Sequence, residues 1–196
     1  MPVFDANKTT QKNITADKVA ARDLIDNSIN NNYGPLIYRE DTILKELVEE
    51  HEKEILLDHE YKEFSDKLNN FLYRKVEGSL RDLNEKLNSG NRAHLVEMAM
   101  DLKESITKKI MKNSHFESAQ KIYTHLLVQI RVTFQSEISS RVKSREFQEY
   151  EIDDLVVNKI IGPLLHSVEG CSLLIDKEDL YGLLYVLTGN CYIEWD

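Results

Sequence analysis

Histidines and the carboxylates beside them are the residues of this chain that could bind a metal ion. His51-Glu52 begins the H-E-x-x-H pattern of zinc proteases, in which two histidines one helical turn apart bind the metal. The position four residues after His51 is Ile55, so the second ligand of that pattern is missing. His51 and His59 stand eight residues apart among carboxylates, and this spacing favours a solvated charged face over a metal site.

Other catalytic patterns also fail on spacing. A helical ribonuclease would need a histidine shortly after an arginine, with four to six residues between them, and no arginine here has one. The sequence has neither a glycine-rich phosphate loop nor a G-x-S-x-G elbow. The pairs Asp153-Asp154 and Glu178-Asp179 are typical of helix starts, where carboxylates stabilise the helix dipole. We therefore predict no catalytic residues, no metal site and no cofactor.

The formal net charge of -9 argues against a dedicated nucleic-acid surface, because neutralising phosphates requires clustered Lys and Arg. One cluster of lysines does occur, towards the end of a predicted helix, where cations stabilise the dipole. Its members are Lys103, Lys108, Lys109 and Lys112. Helix electrostatics is the simpler reading, and contact with an acidic helix of a neighbouring subunit is the alternative.

The N-terminal residues contain no basic segment followed by an apolar run, and no stretch approaches the roughly 18 apolar residues of a membrane span. We therefore expect a cytoplasmic protein without direct membrane contact. In that reducing compartment, Cys171 and Cys191 are expected to be reduced and buried. His166 precedes Cys171 by five residues without a Cys-x-x-Cys partner, so we expect no zinc site there.

The composition predicts an all-α fold. Hydrophobic residues make up 41% and charged residues 30%, with only 7 Gly and 3 Pro, a globular balance with few helix breakers. We predict a multi-helix bundle with long amphipathic helices, an extended N-terminal arm and a short extended C-terminal tail. Residues 1–35, rich in Asn, Thr, Asp and Lys, form the predicted arm, a partly extended assembly segment, and residues 36–196 form the helical domain.

Capping residues and apolar spacing predict where the helices begin and end. The last helix should begin after Asp176 and stop at Gly189 in the left-handed conformation. A helix near Ile152 should kink at Gly162-Pro163, because proline lacks a backbone donor. The other predicted starts are Asp41 or Thr42, then Asp58 for one long helix reaching Ser89, then Asn91, then a Ser114-to-Glu117 capping box.

The only tryptophan lies in the C-terminal stretch LTGNCYIEW, residues 187–195. After Gly189 the residues Cys191, Ile193 and Trp195 alternate with polar neighbours, which predicts an extended tail. We expect this tail to lie in a groove between the predicted third, fourth and last helices. Trp195 is then either a core residue or an anchor for a partner protein.

The region from about Phe64 onward resembles the C-terminal helical domain of bacterial ABC-three-component conflict systems. The matching segments are LVEMAMDLKESITKKIMKN, SAQKIYTHLLVQI, IIGPLL and DLYGLLYVLTGNCYIEW, in that order. A second segment, VAARDLIDNSINNNY, is similar to the VAGRDxI-type sequence found upstream of domains in these systems.

The resemblance implies a subunit of an antiviral or anti-plasmid defence system built around an ABC-type ATPase of the chromosome-maintenance or Rad50 kind. In such systems the helical domain follows a variable effector, commonly a nuclease, and is thought to couple it to the ATPase. An arm of 35 residues has no room for an effector. We therefore expect a non-catalytic adaptor or regulatory subunit, which could also form a homo-oligomer, and nucleic acid contacted only through the complex.

Two regions are the candidate partner-binding surfaces. The arm segment from Val19 to Ile29 is too short to fold alone, so we expect it to pair with another chain or a sheet edge. The tail is the second region. The candidate residues are Val19, Arg22, Asp23, Ile25, Tyr192 and Trp195. Two alternative functions stay open: a self-associating, antitoxin-like regulator, and a metal-dependent nuclease with scattered catalytic residues.

Overall fold

The computed structural model describes residues 38–56, 65–73 and 81–196, and within these ranges the chain is helical without a strand. The predicted all-α fold class is confirmed. The α-helices of the described ranges are α1 Thr42–Glu54, α2 Asp66–Leu72, α3 Leu83–Ser89, α4 Val96–Lys112, α5 Glu117–Thr133, α6 Ser139–Ser144, α7 Glu149–Val156, α8 Gly162–Ser167 and α9 Lys177–Gly189. The predicted arm and its candidate residues Val19, Arg22, Asp23 and Ile25 lie outside the described residues.

Helix α9 lies at the centre of the apolar core, because nine of its 13 residues are buried. It packs against α4 most extensively and also against α2, α3, α5 and α8. Gly182 permits the close approach of α4: a Cβ atom there would stand 2.6 Å from the carbonyl oxygen of Leu102 and 2.8 Å from Ile106 Cγ2. The main partner of α4 is therefore α9 rather than α5, the next helix along the chain.

The single long helix predicted from Asp58 to Ser89 is wrong. Ser65 caps α2, which ends at Leu72, and Asp82 caps α3 in a reciprocal capping box with Glu85. An aspartate that accepts a backbone N–H of its own helix start satisfies a donor that a continuous helix would satisfy internally. The predicted cap Asp58 lies outside the described residues.

Two other predicted helix starts are also wrong. Asn91 has a φ of 60°, and a 3-10 turn over Ala93–Leu95 separates it from α4. Ser114 donates its hydroxyl to the carbonyl of Met111 at 2.7 Å and does not cap α5. The first N–H groups of α5 are accepted by Glu54 from the end of α1, as described below, so a residue distant in sequence supplies the cap.

The prediction around Pro163 is refined by the structure. Where a kink was predicted, a π-helical turn over Val157–Ile161 joins α7 to α8, with Pro163 in the first turn of α8. A second π-helical turn, Phe134–Ile138, joins α5 to α6. π-helical turns are rare and occur mostly as single-turn bulges within longer helices. Asp176 caps α9 together with Asp179, and this prediction is confirmed.

Candidate protein-binding surface at the C-terminal tail

The chain reverses direction at the end of α9 through a Schellman motif. The Tyr192 N–H donates to the carbonyl of Leu187 at 2.9 Å and the Cys191 N–H to the carbonyl of Thr188 at 3.2 Å. Cys191, with a φ of 61°, occupies the left-handed position. The prediction that Gly189 adopts this conformation is therefore wrong, since Gly189 is the last residue of α9. The motif directs the following residues back over the helices.

Trp195 packs into the core of its own chain and is only 5% exposed. Its ring meets Phe134 edge-on, with 5.0 Å between centroids. Its indole N–H donates to Thr188 Oγ1 at 3.1 Å, and this hydroxyl in turn donates to the backbone carbonyl of Leu184 at 3.0 Å. A buried indole needs such an acceptor. The packing alternative for Trp195 therefore describes this structure, while a contact with a partner stays a prediction.

Gly90 lies against the backbone and Cβ of Trp195, and Arg92 stacks on its ring. A Cβ atom at Gly90 would stand 2.5 Å from Trp195 Cβ, so only glycine permits the tail to approach here. The guanidinium of Arg92 lies 4.6 Å from the centroid of the Trp195 ring and pairs with Asp153 at 2.7 Å. Arg92 is 4% exposed, and its Nε is buried without a hydrogen bond. The tail is thereby connected to α7 through one stacked cation.

The carboxylates of the tail pair with two cations, Arg81 and Lys86, which stand before and after Asp82 in the sequence. Arg81 binds Glu194 at 2.7 Å and Asp196 at 2.5 Å. The hydrogen bond from Arg81 lowers the pKa of the Asp196 carboxyl and reciprocally raises the pKa of Arg81. The buried ammonium of Lys86 bonds the carbonyl of Thr188 at 2.8 Å and Glu194 at 3.0 Å. A cation at the C-terminal end of α9 also stabilises its dipole.

Tyr192 holds the start of the tail against α2. Its hydroxyl donates to the carbonyl of Asn70 at 3.0 Å, and its ring lies 5.1 Å from that of Phe71. The guanidinium of Arg131 stacks on the opposite side at 4.9 Å. Tyr192 is half-buried, so part of this predicted binding residue stays open to solvent.

Two cavities flank Trp195, and we call these cavities together with the tail the tail surface. The larger, of about 410 Å³, includes Arg92, Arg145, Phe147, Gln148, Glu149 and Trp195 in its lining. The smaller, of about 150 Å³, is lined by Arg92, Leu95, Met98, Asp153, Val156, Tyr181, Leu184, Tyr185 and Trp195. At their mouths, Phe147 is 39% and Met98 is 46% exposed. Aromatic, methionine and arginine side chains are the types enriched at protein interfaces.

The tyrosines of the smaller cavity stay protonated at neutral pH. Burial and then the charges of Tyr181 and Asp153 raise the pKa of Tyr185 to about 12. Burial likewise raises the pKa of Tyr181, with Asp153 adding to the effect. Both hydroxyls are therefore neutral groups that can donate or accept a hydrogen bond at the edge of an apolar cavity. This combination suits an apolar side chain of a partner protein better than a charged substrate.

Several other residues that the sequence singled out have partners within the chain, while His59 lies outside the described residues. His51 is buried, with its Nδ1 2.7 Å from the hydroxyl of Ser118. Lys108 pairs with Glu104 at 2.5 Å, and Lys109 pairs with Asp179. Burial and the nearby Lys86 lower the pKa of Lys103. Neither cysteine forms a disulfide; Cys171 is buried, and Cys191 is half-exposed rather than buried as predicted.

Sequence reasoning missed Arg92, Met98 and Phe147 on this surface. Arg92 follows Gly90-Asn91 without any periodic signal, and its stacking on Trp195 joins residues that are far apart in the chain. Met98 has the helical spacing of the buried residues Ala99 and Ile106, yet it is 46% exposed. No group of three His, Cys, Asp or Glu side chains that could hold a metal is found in the described ranges, nor any helix long and apolar enough to cross a membrane.

The fold and this surface define a class: an all-α domain whose C-terminal tail is packed into its own core. Residues 82–195 match the family model described as C-terminal domain 9 of the ABC-three component (ABC-3C) systems. This match covers more than half of the chain, which therefore belongs to that family. Its bounds coincide with the cap of α3 and with the tail tryptophan. Neither the curated proteins nor the solved structures contain a match to the chain.

Proposed function

We propose that this chain is a non-catalytic adaptor subunit of a bacterial antiviral ABC-3C complex. It couples an effector, in the favoured case a nuclease, to an ABC-type ATPase of the chromosome-maintenance or Rad50 kind. Membership of the ABC-3C family carries the proposal, because it makes the chain a component of a multi-protein system. Its partners are these two subunits, with self-association as a further possibility, and it meets nucleic acid only through the complex in the cytoplasm.

The tail surface supports an adaptor role. Trp195, the last residue of the family match, separates two cavities whose mouths present Met98 and Phe147. A flexible methionine and an aromatic ring beside small apolar cavities are suited to anchoring the side chains of another protein. The carboxylates of the tail already pair with Arg81 and Lys86, so they hold the tail in place and are not free for acid–base chemistry.

Co-purification tests this role directly. The chain is co-expressed with the ATPase and effector subunits of its own system, and the material bound to a tag on the chain is analysed. We expect at least one subunit to co-purify with the wild type and to be lost from Met98→Asp, because the aspartate places a charge at the apolar mouth. Met100→Asp is the matched control, since Met100 is 55% exposed on the same helix and lies outside both cavities.

Two further outcomes test the absence of catalysis and the role of the arm. Purified chain supplied with Mg²⁺ or Mn²⁺ should hydrolyse neither ATP nor DNA nor RNA; a metal-dependent activity abolished by one carboxylate substitution contradicts the adaptor role.

Deletion of residues 1–35 should preserve the helical circular dichroism signal while changing the oligomer or the complex. Loss of the helical signal argues against an arm that acts only in assembly.

A further inference from the structure

The loop between α8 and α9 contains the most exposed large hydrophobic side chain of the family-matched region. Leu174 is 78% exposed, whereas its neighbours Leu173 and Ile175 are buried. Leu174 also has a φ of 50°, a left-handed conformation that is unfavourable for a residue with a branched side chain. Within the described residues, this exposed and conformationally strained leucine is not part of the apolar core, and such outliers cluster at functional positions.

Side chains from two other helices hold this loop in its conformation. Lys109 of α4 donates to the carbonyl of Leu174 at 2.7 Å, and Glu52 of α1 accepts the N–H of Ser172 at 2.9 Å. Within the loop, the Leu174 N–H donates to the carbonyl of Cys171 at 2.9 Å. The leucine is thus presented by a fixed backbone. Binding to a preorganised loop loses less conformational entropy than binding to a flexible one.

A groove of about 920 Å³ lies beside Leu174 and is lined partly by Leu165, Val168 and Ile175. We call this groove and Leu174 the loop surface. Its charged lining residues are Glu169 and Asp176, both exposed, and no described lining residue is lysine or arginine. His166 stands 3.7 Å from the Glu169 carboxylate. The loop surface therefore combines apolar contact area with net negative charge.

We propose that the loop surface binds a segment of another ABC-3C subunit that carries apolar side chains next to lysine or arginine. The apolar lining accepts the apolar side chains, and Glu169 and Asp176 attract the cations. A second copy of the chain is a poorer occupant, since the same two carboxylates would face each other across a two-fold axis.

The loop surface lies at the start of α9, and the tail leaves the other end of this helix, roughly 20 Å away at the rise of an α-helix over its 13 residues. The smaller cavity of the tail surface reaches back to Tyr181, but the two surfaces share no lining residue. An adaptor needs two separate surfaces if it is to hold two subunits at once. This inference therefore rests on the proposed function and adds the second surface, with the chemistry of the segment that binds there.

A synthetic peptide tests the loop surface without any other subunit. The probe is an amphipathic helical peptide of leucine and lysine, and a peptide with glutamate in place of lysine is its charge control. We expect the leucine–lysine peptide to bind the wild-type chain and Leu174→Asp to bind at least about tenfold more weakly. The weaker binding would occur although the variant is more acidic. The glutamate peptide should not bind.

Leu56→Asp is the matched control, because Leu56 is 84% exposed at the end of α1 and does not line the groove. It should bind the leucine–lysine peptide as the wild type does. Equal binding by Leu174→Asp and Leu56→Asp would overturn the inference. Leu174→Gly guards against a folding artefact: it should keep the wild-type melting temperature or exceed it, since glycine adopts the left-handed conformation freely, yet still bind weakly.

Analytical ultracentrifugation and co-purification separate the remaining outcomes. A wild-type dimer that Leu174→Asp dissociates would overturn the basic partner in favour of a second copy. A wild type that binds the peptide but neither the ATPase nor the effector would contradict the proposed function while the loop surface stands. A chain that co-purifies with a subunit yet ignores the peptide retains its proposed function and loses this inference.

Discussion

The contact of α9 with α4 and the contact of α1 with α5 are stabilised by different kinds of interaction. The first is apolar and close, with Gly182 of α9 set directly against Leu102 and Ile106. The second, which we call the polar contact, has less apolar area, because α1 buries only Leu44 and His51 with Leu47 and Val48 partly covered. Polar side chains hold it at both ends of α1. Helix α9 therefore gains stability from buried area, whereas α1 depends more on individual hydrogen bonds.

The polar contact is nevertheless specific. The two carboxylate oxygens of Glu54 accept the N–H groups of Glu117 and Ser118 at 3.0 and 2.7 Å, so α1 supplies the N-terminal cap of α5. At the other end of α1, Asp41 lies 2.8 Å from His125 Nε2. Hydrogen bonds are directional and fix a helix in one register, while each contributes only about 0.5–1.5 kcal/mol, or somewhat more when a charge takes part.

The family match includes one of these two contacts completely and only one helix of the other. Residues 82–195 contain both partners of the α4–α9 contact, but only α5 of the α1–α5 pair. The apolar contact is thus internal to the family domain, and the polar contact attaches a helix that precedes it. We infer that α1 separates from the domain at lower free energy than α9 does, and the following predictions test this difference.

The largest expected effect is on the apolar side, at the tail. Trp195→Ala removes the ring packed between Phe134 and Arg92 and should lower the free energy of unfolding by about 3–5 kcal/mol, enough to unfold a marginal domain. Urea unfolding followed by circular dichroism measures it. Trp195→Phe is the control, since it keeps a ring against Phe134 while losing the bond to Thr188 and part of the buried ring volume, and it should cost less than Trp195→Ala. An unchanged melting temperature with lost co-purification would instead make Trp195 an interface anchor.

The next effect probes the α4–α9 contact itself. Gly182→Ala should destabilise the domain by about 1–3 kcal/mol, because the added methyl group would overlap the backbone of α4. The sign is diagnostic, since helix propensity alone predicts that alanine stabilises a helix interior by up to about 1 kcal/mol. A higher melting temperature for this variant would show that the two helices separate without cost and that the contact is looser than described.

A smaller and more local effect is expected on the polar side. Glu54→Ala leaves two N–H groups of α5 without their acceptors, which should cost about 0.5–2 kcal/mol, as for other helix caps. Amide hydrogen exchange should accelerate at Glu117 and Ser118 while α9 stays protected. Glu54→Gln retains one acceptor oxygen and should show part of the effect. Equal acceleration throughout α9 would mean that both contacts open together and would remove the distinction.

The smallest effect on stability is expected from lowering the pH. Burial acts to raise the pKa of Asp41, but hydrogen bonds from His125 and from the Leu44 N–H outweigh it, so the pKa is lowered. A lowered folded-state pKa means that this contribution is present above the unfolded value and is lost as the pH falls through the folded one. Between about pH 5 and pH 3 the α1 amides should lose protection first, and Asp41→Asn should abolish that pH dependence.

Helix positions were largely predictable, and helix ends less so. The apolar spacing placed α4, α5, α7 and α9, and the Asp176 cap of α9 was correct. The errors arose where a plausible local cap competed with a contact from elsewhere. Ser114 has the local signature of a cap, but Glu54 takes that role for α5, and nothing in the spacing of a sequence links two residues 63 positions apart.

The sequence predicted one residue of the site, Trp195, but not the surface around it. A lone tryptophan after the last helix indicated that the tail is held in place, and the structure shows how: Thr188, Phe134 and Arg92 surround its ring. The cavities on either side need α4, α7 and α9 to be brought together, so Met98 and Phe147 had no signal of their own. Leu174 likewise fell in an apolar run that gave no indication of which side chain faces solvent.

The sequence by itself determined the all-α class, the helical stripes and the cap of α9, because helical hydrogen bonds and apolar periodicity connect residues three or four positions apart. Only the tertiary structure decided which helix pairs with α4, which carboxylate caps α5, and that Cys191 and Leu174 adopt left-handed conformations. Those choices depend on the position of partners such as Lys109 and Glu54, which chain spacing does not encode. The stability of each choice comes from contacts that exist only once the helices have packed.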